Sequence, residues 1–258
     1  DGLYTRFPRP DQAIAIHLNA DAPAGIVRFT RGFALANVDS VDVTLYGRGG
    51  HGAHPQTTVD PVVVAAKVVL ALQTLVSREK DPLEPAVVTV GSIHGGTKHN
   101  IIPDEVKLQI TVRTYNPAVR KQLLDGIARI AKAEAASANA PREPEVKVSE
   151  SQDATYNDPA LAHRLETALA QRLGKANVVE GKPDMVAEDF GELGKAAGVP
   201  SVLIRLGAVD PKKHAAATAA GTPLPSLHSA TFVPDRERTI RADTSVLVLA
   251  TLELLGAK

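Results

Sequence analysis

Between residues 38 and 150 the hydrophobic periodicity changes in an order that few folds accept. Val41, Val43 and Leu45 alternate with Asp42, Thr44 and Tyr46, the two-residue repeat of a strand with one wet face. Asp60-Pro61 then supplies an N-cap and a first helical residue, which predicts a helix through about Arg78. Strands are predicted over 86–93 and through Val106, Leu108, Ile110 and Val112. Pro117 opens a second helix, with Val119, Leu123, Leu124, Ile127, Ile130 and Ala131 on one face. Val146 and Val148 mark a last strand. The resulting β-α-β-β-α-β order is the split βαβ or ferredoxin-like pattern, complete in itself. It predicts a domain at 38–150.

Residues 1–37 and 151–258 read as a different α/β domain. Ala13-Ile14-Ala15-Ile16 is apolar at every position before His17, which predicts a strand buried on both faces, followed by a turn over 21–25. Helices are predicted over 159–173, ending at Gly174 as a C-terminal stop, and over 187–197. A strand is predicted over 199–206. The 210–225 stretch reads as a long loop with a short helix over 213–220. The terminal helix, 235–255, has Leu247, Leu249, Leu252 and Leu255 as core candidates. Two or three strands are few for a sheet covered on both faces, so this domain is expected to be incomplete in the chain. The first residue is Asp1 rather than Met, which implies a removed N-terminus and leaves the compartment, cytoplasmic or periplasmic, open.

Charge and composition exclude several classes. Lys+Arg and Asp+Glu are equal at 29 each, so the chain has no electrostatic footprint for nucleic acid or an anionic membrane. No apolar run was expected to reach the ~20 residues that span a bilayer. Neither nucleic acid nor membrane is therefore an expected partner. The absence of cysteine excludes disulfides, a thiolate nucleophile and thiolate metal ligands in this chain.

The candidate chemistry lies in four segments. Gly47-Arg48-Gly49-Gly50-His51-Gly52-Ala53-His54-Pro55 surrounds His51 with glycines, which lets backbone approach a ligand and tolerates positive φ. Read alone, it is equally a glycine turn with an exposed His. Its G-x-G-G-x-G spacing differs from the dinucleotide fingerprint. The other segments are Lys98–Asp104, Ala187-Glu188-Asp189-Phe190 and Leu227-His228-Ser229. Of eight histidines, His163 reads as a surface residue, and His94, His99 and His214 as loop or strand-end residues. His17 and His228 each end an apolar stretch before a turn. They suit a divalent metal bound through imidazole, or are two core histidines bonded to carbonyls.

Together with Thr58-Val59-Asp60-Pro61-Val62 and Val112-Arg113-Thr114, these segments resemble the M20 metallopeptidase superfamily. The likeness is greatest to its amidohydrolase branch, which includes hippurate and auxin-conjugate hydrolases. The resemblance implies an α/β protein. Residues 1–37 and 151–258 would be a zinc-peptidase-like catalytic domain, incomplete here, with a ferredoxin-like lid and dimerisation domain inserted at 38–150. It implies a metal-dependent amidohydrolase that cleaves N-acyl amino acids, hippurate-like, or small peptides. It also implies two divalent metals per subunit (zinc, manganese or cobalt) and a homodimer.

Residue by residue, the resemblance makes His17 and His228 metal ligands. His51 becomes the catalytic lid histidine, often given by the partner subunit of a dimer. Asn100 and Arg113 become substrate-binding residues; thirteen positions apart, they are expected to serve one carboxylate pocket. Glu188 is site-adjacent, or simply favours a helix start. Ala187 stands where the family often has Ser. The family's first ligand motif and paired glutamates precede the position matching Asp1. With no H-x-E or Glu-Glu pair in its place, the chain alone is expected to be inactive. The alternative is a non-catalytic fragment acting as a dimerisation or ligand-binding module.

Overall fold

The computed structural model describes residues 2–256. A one-turn helix α1 (Leu3–Arg6) precedes strands β1 (Ala13–Pro23), β2 (Val27–Phe29) and β3 (Gly32–Leu35). Then come β4 (Val38–Tyr46), β5 (Gly50–His51), α2 (Pro61–Thr74), β6 (Ala86–His94), β7 (Ile101–Ile102), β8 (Glu105–Thr114), α3 (Pro117–Ser137) and β9 (Glu145–Gln152). The remainder holds β10 (Thr155–Asn157), α4 (Pro159–Leu173), β11 (Val178–Glu180), α5 (Phe190–Ala197), β12 (Ser201–Val209), α6 (Pro211–Ala220) and α7 (Arg236–Leu255). Four helices start alike, with Asp60, Asn116, Asp158 or Asp210 capping free amides and proline as the next residue.

The chain forms two compact units. One is Leu35–Ala154 with Met185–Glu188; the other holds the residues up to Ala34, Thr155–Asp184 and those from Asp189 onward. In the first, β6-β8-β4-β9 make an antiparallel sheet, the strand order of a split βαβ. Val41, Val43 and Leu45 of β4 and Val106, Leu108, Ile110 and Val112 of β8 point to one face. There they pack against Val64, Val68 and Leu72 of α2 and Leu123 and Ile127 of α3. Each such buried side chain contributes about 1.5–3 kcal/mol relative to exposure. Gly126 lets α3 approach α2, because a Cβ there would lie 2.4 Å from Leu75 Cδ2. At the other end of β4, the buried carboxylate of Asp39 accepts from Arg120 Nε at 2.8 Å and Nη2 at 2.7 Å, and from Asn37 and Ser151.

One sequence expectation fails in this unit. The 19-residue stretch Pro61–Glu79 is, by length and composition, long and apolar enough to cross a membrane. Val64, Ala65, Val68 and Leu72 bury one side of it in the core. Val62, Val63 and Leu70 remain exposed on the other.

The second unit is built on the sheet β1-β12-β2-β11, with β3 and β10 paired separately. Val202, Ile204 and Leu206 of β12 pack with Leu161, Leu165 and Leu169 of α4 and with Val246 and Ala250 of α7. Asn157, fully buried, donates to Thr30 O and Leu203 O and accepts from the Leu203 amide at 2.7 Å.

Several expectations are corrected here. β1 is not buried on both faces: it is an edge strand with β12 as its only neighbour, and Ala13–Asn19 are half-buried. The strand buried at every position but Arg205 is β12. The predicted turn at 21–25 begins later, because β1 runs to Pro23 beside Val209. Helix α5 starts at the buried Phe190, so Glu188 lies outside it and Asp189 is its N-cap residue. On α7, Leu252 and Leu255 are exposed and Leu247 is half-buried, because Val246 and Ala250, one turn apart, make the buried contact.

Candidate active site

The segment that holds His51 is a hairpin arm growing from the end of the first unit's sheet. The β4–β8 ladder ends at Tyr46 opposite Glu105 and continues as Gly47 N–H to Asp104 O, at 2.7 Å. After an irregular stretch at Arg48, Gly49 and Pro103 it resumes as β5–β7, with Gly50 opposite Ile102 and His51 opposite Ile101, and closes with Gly52 N–H to Asn100 O at 2.8 Å. A second layer is tied on by Arg48 and Val59, which exchange backbone hydrogen bonds of 2.9 and 3.0 Å. The Asp104 carboxylate accepts from Gly49 N–H at 2.8 Å.

The glycines of this arm make room for the chain's own backbone and do not use the positive φ that glycine tolerates. None of Gly47, Gly49, Gly50 and Gly52 has a positive φ. A Cβ on Gly47 would lie 2.3 Å from Val59 O, and one on Gly49 2.7 Å from Ile102 O. Glycine is needed because neighbouring backbone lies where a side chain would be.

Two histidines are held in opposite proton arrangements. The Ala53 amide donates to His51 Nδ1 at 3.0 Å. An amide can only donate, so Nδ1 accepts, and the neutral ring carries its proton on Nε2. His51 is exposed, and it lies on the same arm as Asn100, whose carbonyl accepts from Gly52 N–H. In the second unit, His17 Nδ1 lies 2.7 Å from Leu18 O. A carbonyl can only accept, so His17 Nδ1 donates, and in the neutral ring Nε2 is the nitrogen without a proton. A metal-binding imidazole has this arrangement.

His228 sits in an exposed loop with φ 64°, a left-handed conformation that costs a non-glycine residue about 1–2 kcal/mol. Such strain concentrates at functional positions. Glu188 is half-buried. Among the described residues no group of three or more His, Cys, Asp or Glu side chains could hold a metal ion. His17 and His228 therefore do not build a metal centre by themselves.

The structure brings His51 and Asn100 together and separates both from Arg113. Arg113 lies at the far end of β8, about 26 Å from Glu105 at ~3.3 Å per strand residue. The arm then carries Asn100 beyond Glu105. One carboxylate pocket served by Asn100 and Arg113 of the same copy is thus excluded, despite their thirteen-residue spacing. Arg113 is half-buried, with Nε donating to Thr111 Oγ1 at 3.3 Å.

Arg205 is a polar position that the sequence reading did not single out. It is the one position of β12 that is not buried, and it stands in register with His17. A lone charge inside Val202-Leu203-Ile204-Arg205-Leu206 was the available signal.

Residues 33–139 match the family model described as the peptidase dimerisation domain of the M20 group. The chain belongs to the M20 peptidase family. It is 36% identical over 214 residues to an N-acetyldiaminopimelate deacetylase of Leuconostoc citreum, covering 81% of this chain and 53% of that protein. It is 32% identical over 191 residues to thermostable carboxypeptidase 2 of Saccharolobus solfataricus, covering 73% and 47%. The chain thus spans about half the length of these curated M20 relatives. A crystal structure provisionally described as an aminohydrolase, from methicillin-resistant Staphylococcus aureus, superposes with a TM-score of 0.75 at 26% identity, over 93% of this chain and 59% of that one. A Bacillus subtilis protein described as a dinuclear metal-binding M20 peptidase gives a TM-score of 0.70 at 23% identity, over 94% and 57%. The latter likeness establishes the fold alone.

Proposed function

We propose that the protein containing this chain is a metal-dependent amidohydrolase. Its substrates would be N-acyl amino acids or small peptides, as the names of its relatives suggest. The observation that carries this reading is the exposed His51 ring, whose Nδ1 is engaged by the Ala53 amide so that Nε2 carries the proton. A fixed N–H donor suits the oxygen of a scissile carbonyl, whose charge grows as the tetrahedral intermediate forms. Asn100, opposite Gly52 on the same arm, adds an amide that can hold the substrate in place. The guanidinium of Arg113 suits a free α-carboxylate, because its forked donors fit that group bidentately. His17 and His228 are the imidazoles this chain offers to a divalent metal, which would polarise the amide and activate water when bound.

The separation of Arg113 from the arm supports a homodimer in which one pocket takes Arg113 from one copy and His51 and Asn100 from the other. The edges of the lid sheet differ in a way that suits this assembly. β9 carries Glu145, Lys147 and Glu150, whereas β6 has no charged side chain from Ala86 to Ile93. An exposed edge strand is normally protected by charge. β6 is thus the edge fitted to pair with a second copy, beside the exposed Val62, Val63 and Leu70 of α2.

A second reading is favoured by the want of a three-ligand cluster among the described residues: a non-catalytic dimerisation or ligand-binding module. Replacing His51 with Ala in the full protein, supplied with divalent metal, separates the two. Turnover of N-acetyl amino acids is expected to fall about 100-fold with bound metal unchanged, the cost of one lost oxyanion donor. Metal lost in step with activity would make His51 a ligand instead. No hydrolysis by the metal-loaded wild type would favour the module.

A further inference from the structure

On the sheet of the second unit, three basic side chains stand in one row on one face. Val202, Ile204 and Leu206 of β12, with Val27 and Phe29 of β2, point into the core beneath α4 and α7. Ile14, Ile16 and Leu18 of β1 pack against the same core. Strand alternation therefore turns His17, Arg205 and Arg28 to the opposite face. The registers place them side by side, His17 opposite Arg205 and Arg205 opposite Arg28.

The charges of this row are unequally met. Arg28 has its counter-ion, with Nη1 2.9 Å from Asp21 Oδ1. Arg205 has none among the described residues: its Nη2 donates to the neutral Asn19 Oδ1 at 3.1 Å, and its buried Nε finds no hydrogen-bond partner among them. A half-buried guanidinium flanked by a second cation and an imidazole, with one of its own donors orphaned, is costly unless an anion completes it. Arg205 could have been avoided at no cost to packing, since every other position of β12 is buried and all but Ser201 are apolar or glycine. A carboxylate is the anion best matched to a forked guanidinium.

We propose that Arg205 anchors a carboxylate of the substrate beside His17. This rests on the amidohydrolase reading only for the identity of the ligand. Two parts of an N-acyl amino acid can supply the group: an acid on the acyl chain, which leaves the α-carboxylate to Arg113, or the α-carboxylate itself, in which case Arg113 does not hold it.

The test is binding, by calorimetry and thermal shift, of three probes to the full protein. N-succinylglycinamide carries a carboxylate only on the acyl side, N-acetylglycine only on the amino-acid side, and N-acetylglycinamide none. Arg205→Met is expected to weaken one of the two acids at least tenfold and to leave the neutral probe unchanged, and the acid affected names the source. Arg205→Lys, which keeps the charge but not the fork, should fall between, and it keeps the test readable if the Met variant does not fold. Without ligand, Arg205→Met should be no less stable than the wild type. Equal affinity of wild type and variants for both acids overturns the proposal. So does a variant that is destabilised without ligand and unchanged in binding, because Arg205 would then be a structural residue. Hydrolysis is not needed for any of these readings. A protein that binds the acids through Arg205 but cleaves nothing would sink the amidohydrolase reading alone.

Discussion

Gly47→Ala should be among the most damaging single-methyl additions to the hairpin arm. The new Cβ would lie 2.3 Å from Val59 O and 2.5 Å from Pro61 Cδ. Neither atom can rotate away, since one is backbone and the other belongs to a ring at the start of α2. Relief requires the 47–49 strand to separate from Val59, which breaks the two backbone hydrogen bonds between Arg48 and Val59. Those contribute about 1 kcal/mol each, and residual overpacking adds about 1–3 kcal/mol. The smaller backbone entropy of an unfolded alanine returns about 0.4–1 kcal/mol. The net loss is about 2–4.6 kcal/mol. Gly52→Ala is the internal control. Its Cβ would meet Asn100 O at 3.2 Å, a contact relieved by a few tenths of an ångström, so less than about 1 kcal/mol should be lost. Urea unfolding at constant m-value reads both. A Gly47→Ala variant within about 0.5 kcal/mol of the wild type, or a Gly52→Ala variant equally damaged, would refute the argument from backbone contact.

Two further outcomes are expected. Gly126→Ala drives a methyl to within 2.4 Å of the fully buried Leu75. Overpacking of about 1–3 kcal/mol against a helix-propensity gain of at most ~1 kcal/mol predicts a net loss. Adding Leu75→Val should recover part of it, and additive effects in the double-mutant cycle would show that the two sites do not touch. Asp210 caps α6, and its carboxyl sits below its ordinary 3.8, first through the Lys213 amide, then through the Lys212 amide and the charges of Arg238 and Lys213. A lowered folded-state value means the cap is present above the ordinary range and lost as pH falls through the lowered one. Amide protection across 213–220 should fall there in the wild type, and Asp210→Ala should show the unprotected state at all pH values. Equal protection in the two proteins at neutral pH would remove the cap's role.

The first unit was legible because one face of its sheet is wet. The alternation of Val41, Val43 and Leu45 with polar residues sets both strand and register, and the Asp-Pro and Asn-Pro pairs set helix starts. The second unit was less so. Ala13–Ile16 and Val202–Leu206 look equally apolar, yet one lies at an edge and the other is central, a fact of pairing rather than composition. β2, β10 and β11 are three residues each, too short to show a period. Among the candidate residues, His51 and Asn100 fall on one arm, as their glycine-rich and Asn-Ile-Ile-Pro segments could suggest. Their distance from Arg113 could not be read from sequence, because the intervening residues form one extended strand. The glycines looked like room for a ligand and prove to be room for the chain's own backbone.

The two pinned imidazoles also differ in which side chain could stand in for them. At position 51 the ring accepts from a backbone amide through Nδ1, so any replacement has to bring an acceptor to the Ala53 N–H to hold its place on the arm. At position 17 the ring donates to a backbone carbonyl through Nδ1, so a replacement has to bring a donor to the Leu18 carbonyl. The backbone thus selects the face each imidazole turns away from the chain, and an isostere chosen for one position is the wrong one for the other.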